Sequence, residues 1–421
     1  MTEGQTTAQQ TQDGTEALFP FHRRNTIVLA LANLGYVTGF MLFYPYLPLI
    51  VRELGAVNNL ESWVGAIVGG IFGLTFLFTP IWGGMADHYG RKSMVLRAGL
   101  GIGVIFLGLA YSPSLGWFLV LALFLGLTNG FVAAVQALVA TNTPPAVMGR
   151  SISIVQTAAN MGGSLGPAIG ALLATLLGAY QNLYFVCAGL ALTGGVMVLL
   201  FVREVHTRPA QPFRLHLLRD LLDCLRIPGM PVLFLLNFVL SSVFFGNVSV
   251  ISMYVMELMP RGEAFAGLSV AAWVGLASLS ITVTSGVGVL VWGWLLDRIH
   301  PSPLLIFGLL GAIVCALPMP LLQDPLQLAI ARGVLGLVGA GIQPALIIMI
   351  KARSPKGMEA RALSFGTSLY MLGHGGAPVL AGIIGPLLGL RAYFWSNVLM
   401  LLAGLGLWLL SVRRGANNPV V

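Results

Sequence analysis

The chain has 421 residues, of which 57% are hydrophobic and only 9% are charged, and its mean hydropathy is +0.88. Soluble globular proteins carry about 25% charged residues, so this composition excludes an ordinary soluble domain and indicates an integral membrane protein. The sequence contains no phosphate-cradling G-x-x-x-x-G-K-[ST] loop, which argues against ATP hydrolysis by this chain. Its three cysteines predict neither a disulfide framework nor paired metal ligands, and we expect no cofactor.

Apolar windows long enough to cross a bilayer, about 20 residues each, occur twelve times along the chain. Their centres fall near residues 38, 73, 103, 129, 164, 192, 244, 281, 311, 338, 374 and 402. We therefore predict an all-α membrane protein of 12 transmembrane helices. The predicted organisation is a polar, disordered tail (1–24), a six-helix bundle (25–203), a linker with an interfacial amphipathic helix (204–230), a second six-helix bundle (231–413) and a short tail (414–421).

The placement of the cations predicts the orientation of these helices. Most Arg and Lys residues, Arg97 among them, fall in segments on the side of the amino terminus, and only Arg52, Arg261 and Arg391 fall in loops on the other side. The positive-inside rule then predicts that both termini face the cytoplasm, in the inner (plasma) membrane. The net charge of +8 is accordingly interpreted as a topology signal, and no nucleic-acid partner is expected.

A charged, glycine-punctuated turn separates the second and third predicted helices. It reads GGMADHYGRK from Gly83 to Lys92, and a weaker copy, GWLLDR, runs from Gly293 to Arg298. The two copies place Asp297 at a distance of 210 residues after Asp87.

The fifth predicted helix carries a stripe of small residues beside a proline, namely Gly162, Gly166, Pro167 and Gly170. The pattern returns 211 residues later, where Gly373 and Pro378 correspond to Gly162 and Pro167. Agreement between independent positions indicates an internal duplication into two six-helix halves of the same orientation. In transporters built this way the substrate site lies at the interface of the repeats, near the bilayer midplane.

On these residues the chain resembles the twelve-helix transporters of the major facilitator superfamily over nearly its whole length. The turn is similar to the superfamily's loop G-x-L-A-D-R-x-G-R-K, from which Met85 and His88 depart. The glycines and proline of the fifth helix resemble the antiporter motif of the drug-export branches. The closest resemblance is to bacterial multidrug efflux proteins of the drug:proton antiporter group. It implies a monomeric secondary transporter, not an enzyme, whose partners are a small-molecule substrate, protons and membrane lipids.

The resemblance further implies a conformational gate. In an outward-open state the Asp87 carboxylate would lie against the start of the eleventh helix, near Arg361, where a helix amino terminus stabilises an anion by about 0.3 to 1 kcal/mol. The alternative is a merely solvated basic turn. The predicted gate residues are Gly83, Asp87, Gly90, Arg91, Lys92, Asp297, Arg298 and Arg361.

The charged residues inside the predicted helices depart from the family pattern. The arginine that the drug antiporters usually carry in the fourth helix is Ala122 here, whereas its counterpart in the second half is Arg332, which either faces the bundle or snorkels outward toward Asp324. No Asp or Glu lies at mid-helix depth, and His374 is the one titratable side chain predicted there. Our hypothesis is that His374 faces the cavity and carries the proton or contacts substrate; the alternative is a hydrogen-bonded packing histidine.

With no carboxylate at mid-depth, we expect an aromatic, amide-bearing cavity. The predicted lining residues are Tyr36, Phe40, Phe43, Asn129, Gln136, Gln156, Asn160, Asn237, Phe244, Asn247, Tyr254, Gln343 and Tyr370. Such walls suit lipophilic solutes. The favoured function is therefore proton-driven export of lipophilic or drug-like molecules by alternating access. The alternatives are an uptake carrier or flippase without strict proton coupling, and a membrane transferase, for which a suitable pair of acid or base groups is missing.

Overall fold

The computed structural model describes residues 20–56, 58–204, 217–259, 264–355 and 358–416, and within these ranges the chain is almost entirely helical, with one isolated β-bridge between Phe265 and Leu268. The first half contains α1 (His22–Glu53), α2 (Leu60–Tyr89), α3 (Arg91–Ala110), α4 (Leu115–Thr141), α5 (Pro145–Leu176) and α6 (Leu183–Phe201). The second half contains α7 (Met230–Leu258), α8 (Val270–Leu296), α9 (Pro301–Ala316), α10 (Pro325–Arg353), α11 (Glu359–Leu388) and α12 (Leu390–Ala416).

The prediction of twelve membrane-spanning helices in two similar halves is confirmed, since each predicted centre falls within one of these helices. Eleven of them are long and apolar enough to cross a bilayer by length and composition. The twelfth, α5, has 32 residues, about 48 Å at 1.5 Å per residue. Its Gly, Ser, Asn and Gln residues lower its hydropathy.

Helix ends differ slightly from the predicted boundaries. The first helix begins at His22, inside the predicted tail, and α12 runs to Ala416. Arg24 and Arg203 both lie over the ring of Phe21, at 4.8 and 5.0 Å from its centroid. Long cationic side chains at the membrane interface let a helix continue beyond its apolar stretch. The predicted tails, residues 1–19 and 417–421 of them, lie outside the described residues.

A short linker helix (Leu217–Leu225) lies between the halves, within the predicted linker. Cys224 is fully buried, whereas Leu222 and Leu225 remain exposed. This arrangement leaves an apolar edge on the linker helix, as an amphipathic helix at a membrane interface requires. Residues 205–216 of the predicted linker lie outside the described part of the chain.

Four of the helices are interrupted, two in each half. In the first half, α1 contains a 3₁₀ turn at Tyr44–Tyr46, and α4 is broken into α4a (Leu115–Thr128) and α4b (Phe131–Thr141). In the second half, α7 contains a π-turn at Ser242–Gly246, and α10 is broken into α10a (Pro325–Gly339) and α10b (Ile342–Arg353). Gly130 in the α4 break has φ +127°, a conformation that favours glycine.

A tryptophan holds each of the two broken helices at the same place. The indole of Trp82 in α2 donates to the carbonyl of Leu127 in α4a at 2.8 Å, and the indole of Trp292 in α8 donates to the carbonyl of Leu337 in α10a at 3.1 Å. Both members of the second pair follow their counterparts by 210 residues. The duplication seen in the sequence therefore recurs as a duplicated contact, which we call the tryptophan clamp.

A second pair of contacts repeats with the same offset. Thr75 donates to the carbonyl of Gly126 at 3.1 Å, and Ser285 donates to the carbonyl of Gly336 at 3.2 Å. The two glycines let α2 approach α4 and α8 approach α10 closely, because a Cβ at either position would collide with the backbone of the facing helix.

We predict that Gly126→Ala and Gly336→Ala each lower stability by on the order of 1 to 3 kcal/mol, because the new methyl group would overlap the carbonyl of Ile71 or Ile281. Thermal unfolding of the purified protein in detergent measures the loss. Gly286→Ala in α8 is the matched control, since nothing lies within 4 Å of its Cβ position. Alanine there should be neutral or stabilise the helix by up to about 1 kcal/mol. Equal melting temperatures for all three variants would contradict this account.

Candidate functional site

The hydrogen bonds and ring contacts between described residues of the two halves lie toward one face of the molecule. We call the face where α1 begins and α12 ends the terminal face, and the opposite one the distal face. On the distal side Ser62 of α2 donates to the carbonyl of Gly382 in α11 at 2.9 Å, and Ser252 of α7 donates to the carbonyl of Pro45 in α1. These bonds tie both halves together at their distal ends.

Glycines make this distal contact close. A Cβ at Gly65 would lie 2.6 Å from the carbonyl of Pro378, and one at Gly375 would lie 3.3 Å from the Cα of Gly69. One turn further toward the terminal face, nothing lies within 4 Å of a Cβ at Gly73. Helices α2 and α11 therefore approach each other closely in their distal halves.

No hydrogen bond or ring contact between described side chains joins the halves on the terminal side of Phe72 and His374. The glycines of the two turns agree with this separation, because nothing lies within 4 Å of a Cβ at Gly83 or at Gly293. Among the described residues, the halves are therefore held together toward the distal face. A pair of halves joined at one face can leave a space toward the other, which is the geometry in which a solute could enter.

His374 lies at the level where the closed part ends. Its ring is only 6% exposed, its Nδ1 lies 2.7 Å from Ser241 Oγ and 3.1 Å from the carbonyl of Tyr370, and its centroid lies 5.2 Å from that of Phe72. Ser241 immediately precedes the π-turn of α7, and such turns occur frequently at functional sites. The structure thus places His374 in a buried, hydrogen-bonded contact between the halves rather than on an open wall.

Several predicted cavity residues lie together in the first half. Tyr36 donates to Asn129 Oδ1 at 2.8 Å, beside the break in α4. Nearer the terminal face, Gln136 donates to Gln156 at 2.6 Å, and Gln156 donates to Asn160 at 3.0 Å, whose side chain is exposed. A chain of amides therefore joins α4b to α5 and ends at an exposed group.

Other predicted cavity residues are not on a cavity wall. Phe43 is 1% exposed and packs against Phe106 and Tyr184, and Tyr254 is fully buried with its hydroxyl bonded to the carbonyl of Met319. Asn247 is likewise buried, and it accepts from Tyr393. For these three the prediction is corrected, because they pack within their own half.

The five remaining predicted cavity residues are either buried or only partly exposed. Asn237 is 1% exposed and Phe40 is 7% exposed, with the Phe40 ring 6.2 Å from that of Phe72. Phe244 packs against the backbone of Gly339 at the α10 break. Gln343, whose Oε1 has no partner among the described atoms, and Tyr370 are partly exposed.

The glycine stripe of α5 is a packing surface for α1. A Cβ at Gly162, Gly166 or Gly170 would lie within 3 Å of α1 atoms, and Tyr46 donates to the carbonyl of Pro167 at 3.1 Å. The helix continues through Pro167. These contacts join two helices of the same half, so the stripe does not itself border the space between the halves.

The turn after α2 is held by a residue that the sequence reading missed. The carboxylate of Glu204, at the end of α6, accepts from the backbone N–H groups of Arg91 and Lys92 at 2.8 and 2.9 Å. Gly90, with φ +93°, permits this approach, since a Cβ there would lie 3.0 Å from the carboxylate. An anion at a helix amino terminus is stabilised by the unpaired N–H groups and the helix dipole.

The Lys92 ammonium makes a second connection between the same two helices. It donates to the carbonyls of Leu199 and Val202 at 3.0 and 2.7 Å, at the end of α6, where backbone carbonyls lack partners within the helix. The turn therefore joins the start of α3 to the end of α6 through charges on both sides.

The side chains of Asp87 and Arg361 lie outside the described residues, so their predicted contact is not described. In the second copy Asp297 and Arg298 are exposed, and Arg298 lies 4.1 Å from the ring centroid of Trp294.

Two cations lie inside the helix bundles. Arg332 is 1% exposed, and its Nε donates to the carbonyl of Ala277 in α8 at 2.9 Å. Asp324 instead accepts from the backbone of Gln327 at the start of α10. The snorkelling alternative for Arg332 is therefore wrong.

Arg97, which the charge pattern assigned to a terminal-side segment, lies within α3 and stacks on Trp82.

Metal-ligating side chains do not cluster in the described part of the chain, where no three His, Cys, Asp or Glu residues lie close enough to hold an ion.

Comparison with known proteins gives consistent matches along the chain. The sequence profile of the Major Facilitator Superfamily matches residues 29–282 and 266–420. Multidrug resistance protein MdtG of Escherichia coli O9:H4 (strain HS) is 31% identical over 381 residues, covering 88% of this chain and 90% of that protein. MdtG of Serratia proteamaculans (strain 568) is 30% identical over 389 residues, covering 90% and 92%.

Solved structures share the fold at lower identity. A variant of the nucleoside transporter NupG superposes with a TM-score of 0.78 at 10% identity, covering 92% of this chain and 99% of that one. A bacterial homologue of the human lysosomal transporter Spinster, in an inward-facing and occupied conformation, gives 0.76 at 16% identity, covering 94% and 97%. The human organic anion transporter MFSD10 gives 0.66 at 20% identity, covering 92% and 99%.

We predict that the double variant Ser62→Cys with Gly382→Cys forms an intramolecular disulfide on mild oxidation. A Cβ at Gly382 would lie 3.2 Å from the Cα of Ser62, and disulfides need Cβ atoms about 3.5 to 4.5 Å apart. Gel mobility before and after reduction measures the cross-link. The matched pair Gly83→Cys with Gly293→Cys lies on the separated side and should stay reduced; preferential cross-linking of that pair would mean that the closed face has been misidentified.

Proposed function

This chain belongs to the Major Facilitator Superfamily, and we propose that it exports lipophilic, drug-like small molecules by alternating access, driven by the proton gradient. Proteins of this superfamily are multi-pass membrane transporters of small molecules and not enzymes, so a transferase is excluded. The two relatives of about 30% identity that cover most of the chain are named as multidrug resistance proteins.

One observation carries the proposal: the hydrogen bonds and ring contacts that join described residues of the two halves all lie in their distal parts. A pair of similar bundles closed at one end needs only to rock about its middle to close the other end and open the first. The glycine contacts of α2 with α11 suit that movement, because helices that meet through glycines have few side chains to repack when they part and rejoin. We infer that the structure represents the state open to the terminal face.

The lining of the separated side supports solutes of low polarity. Its first-half groups include the amide chain of Gln136, Gln156 and Asn160, and the rings of Phe40 and Phe72 lie 6.2 Å apart in the same half. Apolar walls with a few convergent polar groups are the usual form of a small-molecule site. In the bacterial inner membrane, with both termini cytoplasmic as the cation distribution predicts, this state takes up solute from the cytoplasm.

His374 supplies the proposed proton site. Among the described residues it is the one His, Asp or Glu at the middle of a spanning helix. In the distal-closed state its ring is buried against Phe72, where a charged imidazolium is disfavoured because it has lost its water. Separation of α2 from α11 would return water to the ring and favour protonation. Proton affinity that alternates with conformation is what couples the gradient to transport.

Whole-cell accumulation of a lipophilic dye tests the proposed function. Cells that express the chain should accumulate less dye than an exporter-deficient host, and an uncoupler should abolish the difference. Higher accumulation in expressing cells would instead support uptake. Export that persists with the uncoupler would support a carrier or flippase without strict proton coupling.

We predict that His374→Gln and His374→Ala lose the response of export to an imposed pH gradient. Coupling between two linked sites is worth about 5- to 150-fold, and neither variant can carry a proton at this position. Dye transport into everted vesicles, with and without the gradient, measures the ratio. His300→Gln is the control, because His300 is an exposed residue at the start of α9. Unchanged gradient dependence in both His374 variants would refute the assignment.

We also predict that Asp87→Asn impairs transport far more than Asp297→Asn. The first copy of the turn keeps the full set of charges, and an anion near a helix amino terminus contributes up to about 2 kcal/mol when partly buried. Such a loss corresponds to about a 30-fold change in a conformational equilibrium. Initial rates at equal expression measure the difference, and equal loss in both variants would show that the second copy controls the gate as much as the first.

A further inference from the structure

Arg97 has unused hydrogen-bond donors inside the first half. The residue lies in the second turn of α3, and its guanidinium carbon is 3.6 Å from the ring centroid of Trp82. Its Nε and Nη2 atoms are enclosed by protein and have no hydrogen-bond partner. Buried donors without partners cost free energy, and they are rare enough in proteins that each needs an explanation.

The arginine faces the break in α4. Its Nη2 lies 3.9 Å from the Cβ position of Gly130, next to Asn129, which accepts from the hydroxyl of Tyr36. The break also begins α4b at Phe131, so the positive end of that helix lies at the same place. Breaks at matching positions of two transporter halves indicate the binding region, and here the break brings a cation, a phenol and the amide of Asn129 together.

No carboxylate in the described part of the chain pairs with Arg97. The ion pairs between described residues are Arg226 with Asp223 and Arg391 with Glu257, both on exposed side chains. An arginine in the hydrocarbon region costs about 2.5 to 3.5 kcal/mol on insertion scales. The face of Trp82 compensates only part of that cost, since a cation–π contact contributes about 0.5 to 2 kcal/mol.

The second half shows that the tryptophan clamp itself needs no cation. The counterpart of Arg97, 210 residues later, is Phe307, whose ring lies 6.1 Å from that of Trp292. Trp292 nonetheless holds the carbonyl of Leu337 just as Trp82 holds that of Leu127. The tryptophan clamp therefore does not explain why Arg97 carries a positive charge at this position in the first half.

We propose that Arg97 binds the anionic group of a transported lipophilic acid, a carboxylate or sulfonate, beside the α4 break. This inference rests on the proposed function and narrows its substrate class. The acid's oxygens would accept from the guanidinium, in the charge-assisted geometry for which arginine is suited. Its apolar body would lie toward the space between the halves. From the sequence, Arg97 was placed in a cytoplasmic segment, and the predicted cavity suited bulky, weakly polar or lipophilic solutes.

Transport of pyrene-1-sulfonate and pyrene-1-sulfonamide by the full chain in proteoliposomes tests the proposal, because the two probes differ in charge but share one ring system. The measured quantity is the ratio of their initial rates under a pH gradient. Arg97→Phe, which reproduces the arrangement found at Phe307, should lower the sulfonate-to-sulfonamide ratio by about tenfold or more, the effect of losing one charged hydrogen bond. Arg97→Lys should give an intermediate ratio.

Arg24→Gln is the matched control, because Arg24 makes the same kind of contact, with Phe21, on the terminal face; its ratio should equal that of the wild type. A ratio that is unchanged in Arg97→Phe, or a wild type that carries only the sulfonamide, would overturn the proposal while leaving export intact. If the wild type carries neither probe, the proposed export of such solutes is refuted. Fluorescence titration of the purified protein then tests the Arg97 site on its own, because Arg97→Phe should still weaken binding of the sulfonate more than binding of the sulfonamide.

Discussion

The close contact of α2 with α11 is the constraint on which the rest of the structure depends. Gly65 on one helix meets the backbone of Pro378 and Gly382 on the other, and the side chain of Val379 fills the space that Gly69 leaves. This glycine-lined contact, together with the bonds of Ser62 and Ser252, holds the halves together at the distal face. It also places His374 at the boundary between dry contact and open space.

Hydropathy and repeats were enough to predict the fold. Twelve apolar windows, including one centred near residue 164 for α5, predicted the helices, and the repeat of the α5 glycines and proline in α11 predicted the two similar halves. The wall of the site could not be predicted equally well, because membrane helices are apolar on every side and the sequence hardly shows which face is turned inward. Phe43 and Tyr254 were expected on a cavity wall for their aromatic character, yet both pack inside one half.

Charges were misread for a different reason. Arg97 lies five residues after the turn, so counting cations near helix ends assigns it to the terminal side, although its side chain extends to the α4 break. Glu204 was overlooked because its partners, Arg91 and Lys92, are more than a hundred positions away in the chain. Local sequence patterns indicate the length and polarity of a helix. They do not predict which distant backbone N–H groups will donate to a given carboxylate.

The anchoring of Glu204 has a consequence for how far the halves can move apart. Its carboxylate is bonded to the first two amides of α3, so the connection to the second half leaves the first half from a point held within a bundle. Thirteen residue steps separate it from Leu217, where the linker helix begins. At no more than about 3.5 Å per step, the tether spans at most about 45 Å. The anchored carboxylate therefore sets an upper limit of about that length on the distance between the end of α6 and the linker helix, whichever way the halves move.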